Sequence, residues 1–496
     1  MEKKYILSFD IGTTSTRALL FDKNFDIVAL EQKEIKQYYP QDSWVEQNPE
    51  ELFDSSLLVA QKLIKNNNIN PDEIAAIGIT NQRETTILWD KKTGRPVYNA
   101  IVWQDKRTAD SCLQLKEKGY SGLIKNKTGL QIDPYFSATK IKWILDHVAD
   151  ARFMAQNGDL LFGTVDCYFI WRLTNGKTHA TDISNASRTM LFNINDLCWD
   201  KELLNLLEIP EQILPEVLPS AGFVGETSPA YFNGVSITIT GIAGDQQAAL
   251  FGQSCFETGM TKNTYGTGCF ILMNCGETPV KSENGLITTI AWKINGKVSY
   301  ALEGSVFVAG SLIKWLRDEL GLIKEARETE KIASEIHDDN DVFFVPCFSG
   351  LGAPYWDMNA RGVLVGLSFS TTKNQIIKAG LESLAYQTKD VIEAMQKDAG
   401  TKVKILNVDG GAAVNNYLMQ FQSDILDTEV IRPIITESTA LGAALLAGIG
   451  SDFCTMEDFK NIRKVDRVFN PEITPAKRNL LYDKWLKAVE RAKGWK

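Results

Sequence analysis

The chain has 496 residues and a mass of 55.3 kDa, with 44% hydrophobic and 23% charged residues. That length suits two to four globular domains, which bury about three quarters of their unfolded surface without disulfide or metal staples. A net charge of −9 and a pI near 5.2 lack the basic footprint that nucleic acid or an anionic membrane requires, and no apolar run approaches the about 20 residues of a bilayer span.

The N-terminus enters a strand-like run without the layout of a signal peptide, so a cytoplasmic location is expected. Tyr5–Phe9 ends at Asp10, a polar turn runs from Gly12 to Thr16, and Ala18–Phe21 and Ile27–Gln32 complete three strands. Glu50–Lys65 carries a helical stripe through Leu52, Phe53, Leu57, Leu58, Ala60 and Ile64. Ile74–Thr80 is a short buried strand followed by the polar cluster Asn81-Gln82-Arg83-Glu84. Such alternation marks an α/β domain on a mixed sheet. A second strand–turn–strand begins at Thr261, where Thr264–Gly268 leads into the apolar run Cys269–Met273. Helices are predicted over Val306–Leu320, over Gln375–Lys397 and from about Asn415, with a strand at Lys404–Val408 before the turn Asp409-Gly410-Gly411. A last helix, Pro475–Lys493, carries Leu480, Leu481, Leu486 and Val489 and is predicted to end the fold. The pattern gives two α/β domains, 1–252 and 253–496, joined without a flexible linker.

Eight cysteines include no CxxC pair, and the three histidines (His147, His179, His337) stand away from them. Structural zinc and His-dependent nucleophilic catalysis therefore lack material. Cys167, Cys255, Cys269 and Cys347 lie in apolar runs and are expected as buried thiols.

Asp10 at a strand end, the hydroxyls of Thr13, Thr14 and Ser15 in a tight turn, and Arg17 beyond it suit a phosphate-bridging Mg²⁺ and phosphate oxygens. The same residues also suit a plain hairpin turn. Two further turns of small residues, Thr264–Gly268 and Asp409–Gly411, lie at strand ends in the other half and point to one nucleotide held between the domains. No GxxxxGK[ST] and no GxGxxG after the first strand is present. In Gly241–Ala249 a strand runs into Asp245, Gln246 and Gln247. Asp245 there is placed as a general base toward a hydroxyl, or as a helix N-cap. Arg83-Glu84 offers a donor fork and an acceptor to neighbouring hydroxyls, or forms an exposed ion pair. Trp103, Tyr135 and Phe270 suit either core packing or the wall of a small carbon chain.

Taken together, Asp10–Arg17, Gly78–Thr86, Ala100–Gln104, Tyr135-Phe136, Lys140–Leu145, Gly241–Leu250, Tyr265–Phe270, Gly380–Tyr386 and Val408–Asn416 resemble the FGGY carbohydrate kinases over essentially the whole chain. Within them the resemblance is to the glycerol-phosphorylating branch. It implies two ribonuclease-H-like, actin-like ATPase domains around a cleft, ATP-dependent conversion of glycerol to sn-glycerol 3-phosphate with Mg²⁺, and a homodimer or homotetramer. It implies glycerol contacts from Arg83, Glu84, Trp103, Tyr135, Asp245, Gln246 and Phe270. Nucleotide contacts fall on Thr13, Thr14, Ser15, Thr267, Gly310, Lys314, Gly411 and Asn415, with Lys314 standing where many members carry Gln. Asp245 is implied as base, Asp10 and Arg17 as further catalytic groups, and Asp10 and Asp245 as Mg²⁺ ligands, partly through water. The Ser228–Val235 loop lacks the residues by which relatives are regulated, and Lys477 stands where one such relative uses an acid. Two other readings stand beside this: the same transfer to a different polyol or sugar, and a non-catalytic nucleotide sensor of actin-like fold.

Overall fold

The computed structural model describes residues 2–336, 341–458 and 464–496; His337 lies outside them. Tyr5–Ile11, Ser15–Phe21 and Ile27–Glu34 form an antiparallel meander, and Ile74–Asn81 and Thr238–Gly244 add in parallel beside the first strand. Ala221–Glu226 closes this six-stranded sheet on one edge. The second sheet repeats the plan. Met260–Tyr265, Cys269–Gly276 and Lys297–Val306 form the meander, Ile405–Asp409 and Glu429–Pro433 add in parallel, and Val465–Phe469 lies antiparallel at the edge. Ile287–Ile294 extends the meander as a seventh strand. A wrapped segment between residues 97 and 214 has its own apolar core around Ile124, Phe136, Ile141 and Leu203.

Side-chain alternation decides what each sheet face does. In the first strand Leu7, Phe9 and Ile11 pack toward the Pro49–Asn66 helix, whose N-cap Asn48 accepts from the amides of Glu50 and Glu51. Ile6, Ser8 and Asp10 take the opposite face, where Ser8 donates to the Ala440 carbonyl. That face is covered by the Ser438–Gly450 helix, which comes from the C-terminal half of the chain. It crosses the Asp245–Gly252 helix so closely that a Cβ on Gly442 would lie 1.8 Å from the Ala248 carbonyl oxygen.

Most predicted elements are present, and one differs. The stretch predicted as a helix from Val306 is the end of the Lys297–Val306 strand, and the helix spans Gly310–Asp318. Ala309, with φ −131° and ψ −95°, separates the two. The final helix spans Pro475–Ala492, close to the predicted bounds, and buries Arg478, Trp485, Ala488, Val489 and Ala492 with Leu480 and Leu486 exposed. Trp485 stacks on Tyr386 and donates to Asp390, which fixes the face turned inward. The long helix Lys373–Ala399 starts at a capping box of Thr372 and Gln375. Cys167, Cys255, Cys269 and Cys347 are buried, as expected. Among the described residues no helix is long and apolar enough to cross a membrane.

Candidate active site

Beyond the strand Ile74–Asn81 the chain turns through Glu84, a non-glycine residue at φ 59°. Such a backbone state is uncommon and concentrates at functional sites. It is held by the Glu84 carbonyl, which accepts from the hydroxyls of Ser137 and Thr86. Arg83 and Glu84 are both buried, so the exposed-ion-pair reading is wrong for this pair. The Arg83 guanidinium grips Glu303 with two bonds, NH1 to Oε2 at 2.6 Å and NH2 to Oε1 at 2.9 Å. It also donates to Gln247 and to the Tyr135 hydroxyl, both at 3.3 Å. Its Nε faces Asp245, with Oδ1 at 3.1 Å. Room for this stack comes from Gly244, where a Cβ would meet Arg83 Cδ at 2.7 Å.

Arg188 completes the cluster. Its Nε donates to Glu84 Oε1 at 2.6 Å and its NH2 to Glu303 Oε1 at 3.1 Å, while NH1 is buried with no protein partner. Two arginines and two glutamates thus alternate in a buried network, each guanidinium between carboxylates. Burial pushes the Glu84 carboxyl up, against Arg188 and Arg83, which favour its ionised form. For Glu303 burial acts the same way, but Arg188 and Arg83 win and hold it down to about 2.

Asp245 is the first residue of its helix and Gly244 the cap, so the N-cap reading does not apply. Its carboxylate accepts from the Gln246 amide at 2.7 Å and keeps 29% of its side chain accessible to solvent. The Gly244 amide is pinned by the Ser184 hydroxyl, itself held by Asp182, so the strand-to-helix junction is rigid. Trp103, Tyr135 and Phe270 are half-buried and meet edge to face, Trp103 lying 5.6 Å from Tyr135 and 6.4 Å from Phe270 between ring centroids. Apolar walls thus stand beside the Arg83–Asp245 pair, and Gln246 lies next to Asp245 with its side chain buried.

The first turn is anchored from outside: Thr13 Oγ1 accepts from Trp103 Nε1 at 2.9 Å, and its carbonyl accepts from Gln47. Among the described residues no backbone hydrogen bond uses the amides of Thr13 and Thr14, so both are free to donate to an anion. Ser15 closes the turn by accepting from the Gly12 amide. Asp10 lies behind it, half-buried; burial and the carboxylates of Asp245 and Glu437 push it up to about 7 against the pull of Arg17. Arg17 is ion-paired with Glu437.

In the second turn the Thr267 carbonyl accepts from the amides of Ala309 and Ser311, and Gly266 from Gly310, so the Gly310 helix is stitched to it. A Cβ on Gly310 would meet the Gly266 oxygen at 2.6 Å, which requires glycine there. Lys314 is exposed one turn into that helix. In the third turn nothing lies near the α-carbon face of Gly411, whereas Gly410 packs on the Tyr265 carbonyl. Asn415 is buried as the N-cap of Asn416–Leu426: its Oδ1 accepts from Leu418 and its Nδ2 donates to Thr329. Both ends of its amide are therefore committed within the protein. The first and third turns are linked, since Glu437 pairs with Arg17 and the next residue, Ser438, bonds Asp409.

Among the described residues no cluster of three or more acids, histidines or cysteines could cage a metal ion. Asp245 is near enough to raise the Asp10 carboxyl through its charge. One or two carboxylates of this kind fit Mg²⁺, which keeps waters and takes phosphate oxygens for its other positions.

Arg188, Glu303 and Lys262 escaped the sequence reading, and Lys140 stood there within a motif but without a role. The available signal was a lone charge in an apolar stretch, as in Ala301-Leu302-Glu303-Gly304, since buried charges are rare unless partnered. Lys140 is buried and supports the Tyr135 loop by donating to its carbonyl at 2.6 Å.

Comparison with known proteins places this geometry. The family model described as the FGGY family of carbohydrate kinases, N-terminal domain, matches residues 5–252, and its C-terminal counterpart matches 261–451. The chain is 57% identical over 493 residues to "Glycerol kinase 2" of Thermotoga maritima, covering 99% of each. It is 57% identical over 495 residues to the glycerol kinase of Bacillus licheniformis, covering all of both chains. A crystal structure of Plasmodium falciparum glycerol kinase with ADP superposes with a TM-score of 0.94 at 37% identity, covering 99% of each chain.

Proposed function

The chain belongs to the FGGY family of carbohydrate kinases, and from that premise we propose that it transfers the γ-phosphoryl group of ATP to glycerol, releasing ADP and sn-glycerol 3-phosphate. The observation that carries this reading is the meeting of Arg83, Glu84, Tyr135, Asp245 and Gln246 beside the Trp103 and Phe270 rings. A sensor of nucleotide alone has no use for a polyol clamp of this kind.

In the proposed mechanism Arg83, Glu84 and Gln246 hold the hydroxyls, and the aromatic rings line the carbon chain. Asp245 accepts the proton of the presented hydroxyl as its oxygen attacks the γ-phosphorus in line with the departing ADP oxygen. The free amides of Thr13 and Thr14, with Ser15, Arg17 and Thr267, offer donors and charge to the phosphates, and Gly310, Lys314, Gly411 and Asn415 frame the rest of the nucleotide. Mg²⁺, held by Asp10 and Asp245 partly through water, would supply charge neutralisation on the phosphates. Such transfers depend mainly on positioning and electrostatics, and closure of the cleft keeps water from replacing the alcohol.

The test is steady-state ADP release with glycerol and MgATP, with xylulose and gluconate as competing acceptors. Glycerol should give the highest kcat/KM; another acceptor exceeding it overturns the substrate. Asp245→Asn should lower kcat by about 10²–10⁴-fold, the range for loss of a positioned base, while glycerol still binds. Turnover retained in that variant removes Asp245 from the base role.

A further inference from the structure

Lys262 occupies the middle of the Met260–Tyr265 strand and is fully buried. Alternation sends Thr261, Asn263 and Tyr265 to one face, and Lys262 with Thr264 to the other, toward the cleft. An ammonium in that position is kept against a substantial desolvation cost unless its donors are all used. They are: Nζ donates to Oε1 of Gln246, to the Thr264 hydroxyl at 2.9 Å and to the Phe270 carbonyl at 3.1 Å. Burial pulls the amine down to about 8, while Asp409, Asp245 and Glu303 favour its charged form.

These bonds join three parts of the site. Gln246 follows the base Asp245 on the helix from the first sheet, Phe270 is one of the aromatic walls, and Thr264 leads into the Tyr265–Gly268 turn. The pairing also settles which way the Gln246 amide points. An ammonium has donors only, so it must face the carbonyl oxygen of the carboxamide. Among the described residues the Nε2 of Gln246 has no protein partner, and it is not sealed from solvent.

We propose that Lys262 is a positioning residue for the acceptor alcohol: by holding Oε1 of Gln246 it turns the amide Nε2 toward the pocket, so that the substrate oxygen bound there accepts a hydrogen bond. The inference rests on the glycerol-phosphorylating reading given above. Without Lys262 the carboxamide has two equivalent orientations, one of which presents an acceptor where a donor is needed.

A double-mutant cycle tests it with glycerol and MgATP. Lys262→Met should raise the KM for glycerol about tenfold, with kcat and the KM for ATP changed less than about threefold, the split expected when substrate positioning is lost. Gln246→Ala should raise the glycerol KM by a similar factor, and the double variant should be no worse than Gln246→Ala, since the two residues act as one unit. Lys262→Gln, whose amide still donates to Oε1, should stay within about threefold of wild type. It carries the test alone if the Met variant does not fold. Effects that multiply in the double variant, a KM for ATP that rises as much as that for glycerol, or a Lys262→Gln variant as impaired as Lys262→Met overturn the role of Lys262 alone. A wild-type protein without glycerol-dependent ADP release overturns the activity and this role together.

Discussion

Replacing Glu303 with Gln keeps the side chain's shape and removes the charge shared by Arg83 and Arg188. Both carboxylate oxygens are in use, Oε2 by Arg83 at 2.6 Å and Oε1 by Arg83 at 2.9 Å and Arg188 at 3.1 Å, and all three side chains are buried. Burial disfavours the ionised Glu303, yet Arg188 and Arg83 hold its pKa at about 2 against an ordinary 4.5. That displacement corresponds to about 3 kcal/mol in favour of the charged form. Removing one partner of a buried pair costs about 3–5 kcal/mol by a separate route, so Glu303→Gln should lose about 3 kcal/mol. The folded-state pKa is depressed, so this stabilisation is fully present above about pH 4.5 and is lost as the pH falls through about 2. Urea unfolding at several pH values, followed by tryptophan fluorescence and far-UV circular dichroism together, measures it; two probes are needed because a chain of two domains can unfold in steps. The gap between wild type and variant should be about 3 kcal/mol at neutral pH and about half that near pH 3. A gap below about 1 kcal/mol at neutral pH, or one that stays constant down to pH 3, would refute the account of this network.

Three other outcomes follow from the same structure. If ionised Asp10 is needed to receive the metal–nucleotide complex, kcat/KM for MgATP should rise through about pH 7, where burial and its acidic neighbours place its pKa, and level off above; Asp10→Asn should be low throughout and lack this limb, and a flat wild-type profile contradicts it. Gly442→Ala sets two effects against each other: helix propensity alone would stabilise by about 1 kcal/mol, but the new methyl would meet the Ala248 oxygen at 1.8 Å, so a net loss of about 2 kcal/mol is expected, and a raised melting temperature would show that the crossing can open. Trp103→Phe keeps the ring against Phe270 and deletes the bond to Thr13, so it should affect the KM for ATP more than that for glycerol, whereas Trp103→Ala should raise the glycerol KM by about tenfold; equal effects of both variants on glycerol would rule out the apolar-wall role.

Much of the fold was legible because its signals are local. The opening meander announces itself by alternation around Asp10 and the Gly12 turn, and the Pro49 helix by its stripe and cap. The junction at Val306–Gly310 was not, because a run of small apolar residues fits the end of a strand as well as the start of a helix. The last helix was legible as a helix but its inward face was not: Leu480 and Leu486 are exposed, and the face is chosen by Trp485 and its distant partners Tyr386 and Asp390. In the site, residues lying in sequence motifs, such as Arg83, Glu84, Asp245 and Gln246, could be named in advance. Arg188, Glu303 and Lys262 could not, since each acquires its meaning from a partner at least sixteen positions away that only the folded chain brings near.

The Ser438–Gly450 helix has a further consequence for how this protein can be divided. Ala440, Ala444 and Ala447 share one core with Ile6, Phe21, Ala76 and Ala243, so a fragment ending at residue 252 would have an uncovered apolar sheet face. Exposed surface of that size drives self-association, and such a fragment should be recovered from expression as aggregate. Chimaeras between relatives that swap halves at the obvious boundary would inherit a mismatched lid on that sheet, and grafts that move residues 438–450 together with the first half avoid it.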